Sequence, residues 1–173
     1  AGRDRHVPSR HVTVSDRRFL SIATVILAGI AAVYFAFGLA TASYTLGCDF
    51  DAYAGAARRW VAGSPIYDLS VARTGECGVY QYPPPFVAIA LPFAMLPQGL
   101  GVSAWIALLV ACYLLAIATM PVRAWTKLIA GFLGAISWPF IFGVRIGQVA
   151  PILLLCFALG WRLLERPTVL AAT

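Results

Sequence analysis

The stretch that decides the fold reads VSAWIALLVACYLLAIATM over residues 102–120, and it contains no charged residue. A helix needs about 20 predominantly apolar residues to cross a bilayer, so this stretch predicts a membrane-spanning helix. Residues 19–41, 126–144 and 149–164 are similarly apolar, although the last stretch is short. Across the chain 61% of the residues are hydrophobic and 12% are charged, whereas soluble domains are about half apolar and a quarter charged. The sequence therefore predicts an all-α integral membrane protein.

The residues before the first apolar stretch predict its orientation. Five of the thirteen Lys and Arg residues precede residue 19, and such residues stay on the cytoplasmic side of a membrane. We therefore expect residues 1–18 to form a polar cytoplasmic tail and residues 19–41 to form the first of several spans. The first stretch is too long for a cleaved signal peptide. The net charge of +6 reflects this topology signal, so we expect no nucleic-acid partner.

The apolar stretch from Pro84 to Pro97 leaves the direction of the later spans open. Its ~14 residues would cover ~21 Å, which is short of the ~30 Å hydrocarbon core, and Pro92 interrupts it. We expect it to be half-embedded in the outer interface, so that residues 42–100 form one extracytoplasmic loop. Three spans would then follow within residues 101–166. If the stretch crosses the membrane instead, every later loop changes side and most of the later cations lie outside, which the positive-inside rule disfavours.

The outer loop concentrates its polar residues in three motifs. It reads CDFDAY over residues 48–53, GSPIYD over residues 63–68 and YQYPPPF over residues 80–86. Between the first two motifs, the apolar residues recur at helical spacing. The pattern predicts an amphipathic helix over residues 52–62 that lies on the membrane plane, and the third motif predicts a stiff, extended return to the membrane.

Asp49 and Asp51 are candidates for a general base. A carboxylate at the mouth of a membrane helix bundle can take the proton of an acceptor hydroxyl, and a second acid in the same site raises its pKa. In the alternative interpretation, one aspartate caps the amphipathic helix and the other is solvated.

Arg58, Arg59 and Arg145 are candidates for binding phosphate, because guanidinium groups pair with it through two parallel hydrogen bonds. The alternative is that they extend toward lipid headgroups. Arg145 would lie outside in the preferred topology, against the positive-inside rule, and so needs another reason for its position. Gln148 follows Gly147 at a turn between two apolar stretches. It is either a hydrogen-bonding partner for sugar hydroxyls or part of a plain helix start.

The cysteines and histidines limit the other chemistries. Cys48 and Cys77 bracket the outer loop in a compartment where disulfides persist, so a bridge between them is one candidate feature. Cys112 and Cys156 lie in apolar stretches, where they are most simply small packing residues. Both histidines precede residue 12. We therefore expect no Ser-His-Asp site and no metal.

Together, the motifs resemble glycosyltransferase family 87. The resemblance is carried by DFDAY at residues 49–53, GSPIYD at residues 63–68, YPP at residues 82–84 and GQ at residues 147–148. It extends over residues 19–166 and implies a GT-C-like polytopic helix bundle. About four to five of the spans would lie in this chain, with interfacial helices in the outer loop. Members of the family are longer, so we expect an N-terminal portion of one, with residues 167–173 as a truncated end.

The resemblance also implies a function. Members transfer a sugar, often mannose, from polyprenyl phosphate to a glycolipid or glycan on the extracytoplasmic side of the bacterial plasma membrane. They need no cofactor, and transfer inverts the anomeric carbon. Asp49 matches the catalytic aspartate and is implied as the general base, with Asp51 as a secondary candidate. The substrate-binding residues expected beside it are Tyr53, Arg58, Arg59, Tyr82, Arg145 and Gln148.

Two other functions remain open. A non-catalytic membrane subunit, or a component that binds or transports lipid-linked sugars, would need the arginines and aromatic residues but no base. A small transporter is disfavoured, because the middle parts of the apolar stretches carry no ionisable residue and transport pathways usually do.

Overall fold

A computed structural model describes residues 14–42, 45–70 and 78–165. Within these ranges the chain forms seven helices and no strand, which confirms the all-α prediction. The predicted tail over residues 1–18 lies mostly outside the described residues. In chain order the helices are α1 (Val14–Ala40), α2 (Cys48–Val61), α3 (Phe86–Ala94), α4 (Gln98–Thr119), α5 (Ala124–Ile136), α6 (Trp138–Ile146) and α7 (Ala150–Leu164).

Two of these helices are long and apolar enough to cross a membrane. They are the Arg18–Ala40 part of α1, with a mean hydropathy of 2.3, and α4, with a mean hydropathy of 2.4. The bent pair of α5 and α6 adds a third span if the two are counted together. At 15 residues, α7 covers only ~22 Å. The described residues therefore define a helical membrane protein with two or three candidate spans, and the predicted four to five are not confirmed.

The predicted span over residues 126–144 is interrupted by a break. The axes of α5 and α6 differ by 62° across a break at Ser137, where the backbone is extended with ψ 134°. The physical cause is Pro139, which has no N–H to donate and whose ring clashes with the carbonyl group four residues earlier in a continuous helix. Proline is tolerated in the first turn of a new helix, and α6 begins one residue before it.

The stretch from Pro84 to Pro97 contains the short helix α3. Its nine residues rise only ~14 Å, so by length it does not cross a bilayer. The interfacial position expected for this stretch stays a prediction. The last turn of α3 is tied to α2, because the Arg58 Nη1 atom donates a hydrogen bond to the Ala94 carbonyl oxygen at 3.2 Å.

The core lies where α2, α3 and α4 meet, with Trp105 at its centre. Trp105 is fully buried, and its ring centroid lies 5.5 Å from that of Phe50, 5.9 Å from that of Tyr53 and 5.3 Å from that of Phe93. Aromatic pairs at such separations add to the stability that burial alone gives. Away from this core, α4 packs along α7, and α1 packs against α5 and α6.

The predicted amphipathic helix exists, but most of its apolar face packs against protein. Tyr53, Ala56 and Ala57 are buried, whereas Trp60 and Val61, in the last turn, are 52% and 60% exposed. The buried part contacts α3 and α4. Only the C-terminal end of α2 therefore keeps the exposed apolar surface expected of a helix at a membrane interface.

A close contact at Gly101 generates the first prediction. A Cβ atom at this position would lie 2.6 Å from the Phe93 carbonyl oxygen, whereas a Cβ at Gly99 would meet nothing within 4 Å. We expect Gly101→Ala to separate α4 from α3 and to destabilise the protein by about 1–3 kcal/mol. Gly99→Ala, in the same helix, is expected to leave stability unchanged or to raise it by up to ~1 kcal/mol. Thermal unfolding of the detergent-purified variants measures the difference, and equal melting temperatures would contradict the packing.

Candidate functional site

The helix that carries the two aspartates begins at a glycine. Gly47 adopts a left-handed conformation, with φ 76°, and α2 starts at the next residue. No side chain in the described part of the chain caps this end of the helix, so the expectation that Asp49 or Asp51 caps it is wrong. Because the helix starts four residues earlier than predicted, both aspartates lie inside its first turn. There the helix dipole favours their ionised forms.

The two carboxyl groups occupy different environments. Residues two apart on a helix are separated by about 200° around its axis, so they do not share a face. Burial raises the pKa of the half-buried Asp49, and no group in the described part of the chain offsets this shift. Burial also raises the pKa of Asp51, but a hydrogen bond to the Gln98 side chain and the charge of Arg58 act against it. The expected like-charge effect of one aspartate on the other is therefore wrong.

A turn nearly 100 residues later packs against the start of α2. The Gly47 N–H donates to the Arg145 carbonyl oxygen at 2.8 Å. Gly147 ends α6 with φ 89°, and a Cβ atom there would lie 3.0 Å from the Phe50 Cβ. The Trp105 indole N–H donates to the Gly147 carbonyl oxygen at 2.8 Å. The fold thus brings the aspartate motif and the Gly147-Gln148 motif into contact.

The side chains of Gln148 and Arg145, on either side of Gly147, differ in exposure and in hydrogen bonding. Gln148 has an exposed side chain, while its backbone N–H donates to the Gly143 carbonyl oxygen at 2.8 Å. Arg145 is half-buried, and its guanidinium group donates from Nε to the Thr45 hydroxyl at 2.7 Å and from Nη2 to the Ala42 carbonyl oxygen at 3.0 Å. Its Nη1 atom has no partner among the described residues. These hydrogen bonds explain the position of Arg145, which the sequence alone left unexplained.

Tyr53 and Tyr82 belong to one aromatic cluster next to the aspartates. Tyr53 is 1% exposed, and its hydroxyl donates to the Tyr82 hydroxyl at 3.3 Å. The two rings meet edge to face, with their centroids 5.1 Å apart. Tyr67 donates a hydrogen bond to the Tyr82 carbonyl oxygen at 3.0 Å. Tyr53 therefore supports Tyr82 from inside the core, and Tyr82 is the partly exposed member of the pair.

The phenol groups of Tyr53 and Tyr80 stay protonated at neutral pH, because burial raises the pKa of both. Burial is the largest cause that raises the pKa of Tyr53, followed by its hydrogen bond with Tyr82 and the nearby charge of Asp49. Burial likewise raises the pKa of Tyr80 to about 12. A neutral phenol can both donate and accept hydrogen bonds, which suits the recognition of hydroxyl groups.

Arg58 and Arg59 lie at the opposite end of α2. Arg58 is nine residues beyond Asp49, which corresponds to ~14 Å along the helix and the opposite side of it. It shares a face with Asp51, whose charge it stabilises. Arg59 donates from Nη2 to the Ile66 carbonyl oxygen at 2.9 Å, and its buried Nε has no hydrogen-bond partner within the part of the chain that the structure describes. Of the three candidate arginines, Arg145 is the one that bonds the described residues leading into the Asp49 turn.

Cys48 forms a disulfide bond, but its predicted partner, Cys77, lies outside the described residues. The pairing of these two cysteines therefore stays a prediction. Cys112 and Cys156 are free, and only Cys112 is buried.

Sequence reasoning missed two residues that shape this site. Trp105 looked like any other apolar residue of a span, and only the fold shows its indole N–H holding the Gly147 turn. Thr45 lies outside every motif, yet its hydroxyl bonds Arg145. The only signal for Trp105 was its polar N–H, since a buried indole usually finds an acceptor. Thr45 offered none.

These features define a helical membrane protein with an acidic helix start held against a glycine turn. The family model for glycosyltransferase family 87 matches residues 80–173, which is more than half of the chain. The chain therefore belongs to glycosyltransferase family 87, which confirms the family resemblance, and the motifs at residues 49–53 and 63–68 lie outside the matched residues. No curated protein and no solved structure matches the chain. Of the candidate residues, the family match includes Tyr82, Arg145 and Gln148.

The burial of Asp49 generates a prediction about stability. Because its pKa in the folded protein lies above the ordinary 3.8, its contribution to stability is full below pH 3.8 and is lost as the pH rises through the folded pKa. At neutral pH the ionised carboxylate therefore costs stability, and Asp49→Asn is expected to raise the melting temperature by about 1–2 °C. Melting curves at pH 7 in detergent test this.

Asp51→Asn is the matched control, because its carboxylate has the compensating contacts of Gln98 and Arg58. The melting temperature of Asp51→Asn is expected to rise less than that of Asp49→Asn. A clear loss of stability in Asp49→Asn would show that the ionised Asp49 is stabilised by a partner, contrary to this description.

Proposed function

We propose that the chain transfers a sugar from a polyprenyl-phosphate carrier to an acceptor hydroxyl, with Asp49 as the general base. Membership of glycosyltransferase family 87 supports sugar transfer as the reaction class. The observation that carries the assignment to Asp49 is its environment. It is half-buried at the start of α2, no cation among the described residues lowers its pKa, and it lies two residues from the contact with the Arg145 carbonyl. A base with a raised pKa accepts a proton more readily near neutral pH.

The proposed step balances without a cofactor. The Asp49 carboxylate takes the proton from the acceptor hydroxyl as that oxygen attacks the anomeric carbon. The new carbon–oxygen bond forms while the bond from the anomeric carbon to the phosphate oxygen breaks. Polyprenyl phosphate leaves with the electron pair, and the anomeric configuration inverts. Mannose is the donor sugar that the family resemblance favours, and a glycolipid or envelope glycan is the acceptor.

Arg145 is the strongest candidate for the donor phosphate. Its backbone is bonded to the residue that starts α2, and its Nη1 atom has no partner among the described residues. A guanidinium group there would stabilise the charge that develops on the leaving phosphate. Arg58 and Arg59, at the other end of α2, suit the approach of the carrier from the bilayer or contacts with lipid headgroups.

We assign the recognition of the sugar hydroxyl groups to the side chains that border Asp49. Tyr82 is partly exposed and Gln148 is exposed, so both can meet a sugar without rearrangement. Tyr53 is buried and acts on Tyr82 through the hydrogen bond between their hydroxyls. A small set of polar groups on an aromatic and apolar background is typical of ligand sites.

The reaction takes place at the bilayer, because the donor is anchored in it. The basic residues before α1 favour a cytoplasmic N-terminus, which puts α2 and Asp49 on the extracytoplasmic side. We therefore assign the site to the outer face of a bacterial plasma membrane, where polyprenyl-linked sugars replace nucleotide sugars as donors.

The direct test is Asp49→Asn in membranes from cells that express the full gene. Transfer of labelled mannose from polyprenyl-phosphate-mannose is expected to fall at least about a hundredfold, because an amide cannot accept the proton. Asp51→Asn is the matched control and is expected to keep most of the activity. Both variants should reach the membrane in normal amounts, which immunoblotting of the membrane fraction verifies.

Retained transfer in Asp49→Asn would remove Asp49 as the base. If the unaltered protein transfers no mannose, other polyprenyl-linked sugars are tested in the same pair of membranes. A protein that binds these donors but transfers none would be a binding component rather than an enzyme.

The raised pKa of Asp49 predicts the acid limb of the pH profile. The base works only when ionised, so activity is expected to fall as the pH falls through its folded pKa, which lies above 3.8. The value of kcat/KM measured from pH 4 to pH 8 reports this pKa in the free enzyme. An activity that stays constant down to pH 4 would contradict the burial of the catalytic carboxylate.

A further inference from the structure

Arg145 makes three hydrogen bonds to the chain segment that leads into α2. This connector joins α1 to α2, and its described residues are 41–42 and 45–47. The guanidinium group donates from Nε to the Thr45 hydroxyl at 2.7 Å and from Nη2 to the Ala42 carbonyl oxygen at 3.0 Å. The Arg145 carbonyl oxygen in turn accepts the Gly47 N–H at 2.8 Å. The end of α6 and the connector therefore form one hydrogen-bonded unit.

Thr45 links the side-chain bonds of this unit. Its hydroxyl oxygen accepts from Arg145 and donates its own proton to the Ala42 carbonyl oxygen at 2.8 Å. The Ala42 carbonyl oxygen thus accepts three hydrogen bonds, from the Thr45 N–H at 3.1 Å, from the Thr45 hydroxyl and from Arg145 Nη2. Removing the hydroxyl breaks two bonds at once and leaves the Arg145 Nε–H without an acceptor in a partly buried place, which is the costly kind of loss.

The unit ends only two residues before Asp49. Gly47 belongs to it through its N–H, and its carbonyl oxygen accepts the Asp51 N–H at 2.8 Å as the first hydrogen bond of the helix. A shift of the connector would therefore carry the first turn of α2 with it. Displacements of ~1 Å in a reacting group are enough to slow a reaction by up to ~100-fold.

We propose that Thr45 is a positioning residue, which fixes the Asp49 carboxylate through the guanidinium group of Arg145. The proposal rests on the function proposed above, with Asp49 as the base. It assigns to Arg145 two tasks that use different N–H groups. Nε and Nη2 hold the connector, and Nη1 is left for the donor phosphate.

Thr45→Val tests this, because it keeps the shape of the side chain and removes only the hydroxyl. In membranes that express the full gene, kcat for transfer from polyprenyl-phosphate-mannose is expected to fall about tenfold while KM for the donor changes by less than about twofold. Thr45→Ser restores the hydroxyl and is expected to restore kcat. Combined with Arg145→Lys, which loses the directed Nε bond but keeps the charge, Thr45→Val should add little further loss of kcat.

An unchanged kcat in Thr45→Val, or a loss that Thr45→Ser does not recover, would overturn the positioning role. A rise in KM alone would overturn it as well, since it would indicate a role in donor binding. If Thr45→Val does not reach the membrane, Thr45→Ala takes its place with the same expectations. This result can be distinguished from a failure of the proposed function. If Asp49→Asn is inactive and Thr45→Val keeps its normal activity, only the role of Thr45 is refuted.

Discussion

The docking of the start of α2 against the Gly147 turn is the constraint on which the proposed site depends. The Arg145 carbonyl oxygen accepts the Gly47 N–H just before α2, and the Gly147 carbonyl oxygen accepts the indole N–H of Trp105 in α4, each at 2.8 Å. Neither bond depends on a side chain of the turn, but the close approach to Phe50 requires that Gly147 lack a Cβ atom. Sequence segments that are nearly 100 residues apart are thereby joined beside Asp49.

This arrangement keeps a carboxylate in a place that does not favour its charge. The first turn of a helix favours an anion, yet burial outweighs that effect and raises the pKa of Asp49. Asp51, only two residues away, instead has Gln98 and Arg58 as partners. The side of the helix on which each aspartate lies therefore decides that the burial of Asp49 is uncompensated and that of Asp51 is partly compensated. Uncompensated burial of a titratable group is a common property of catalytic sites.

The sequence predicted the helical membrane class and the motifs of the site, because hydropathy and residue type are local properties. It did not predict the break between α5 and α6, because apolarity continues through Pro139 although helical hydrogen bonding does not. It also began α2 too late, because only the backbone shows that Gly47 adopts a left-handed conformation. Trp105 offered only the general signal of a polar indole N–H, and Thr45 offered no signal. Their roles depend on partners more than 40 residues away, and no local pattern records such contacts.

Chemical cross-linking measures the central contact most directly. In a background with Cys112→Ala and Cys156→Ala, Leu46→Cys is paired with Gln148→Cys and treated in native membranes with a short bifunctional thiol reagent. Peptide mass spectrometry is expected to find residues 46 and 148 linked, since both are exposed and flank the contact. The control pairs Ser64→Cys with Gln148→Cys, beyond the far end of α2 and ~21 Å along the helix, and should stay unlinked. Linking of the control pair alone, or of neither pair, would contradict the docking of α2 on which the proposed site depends.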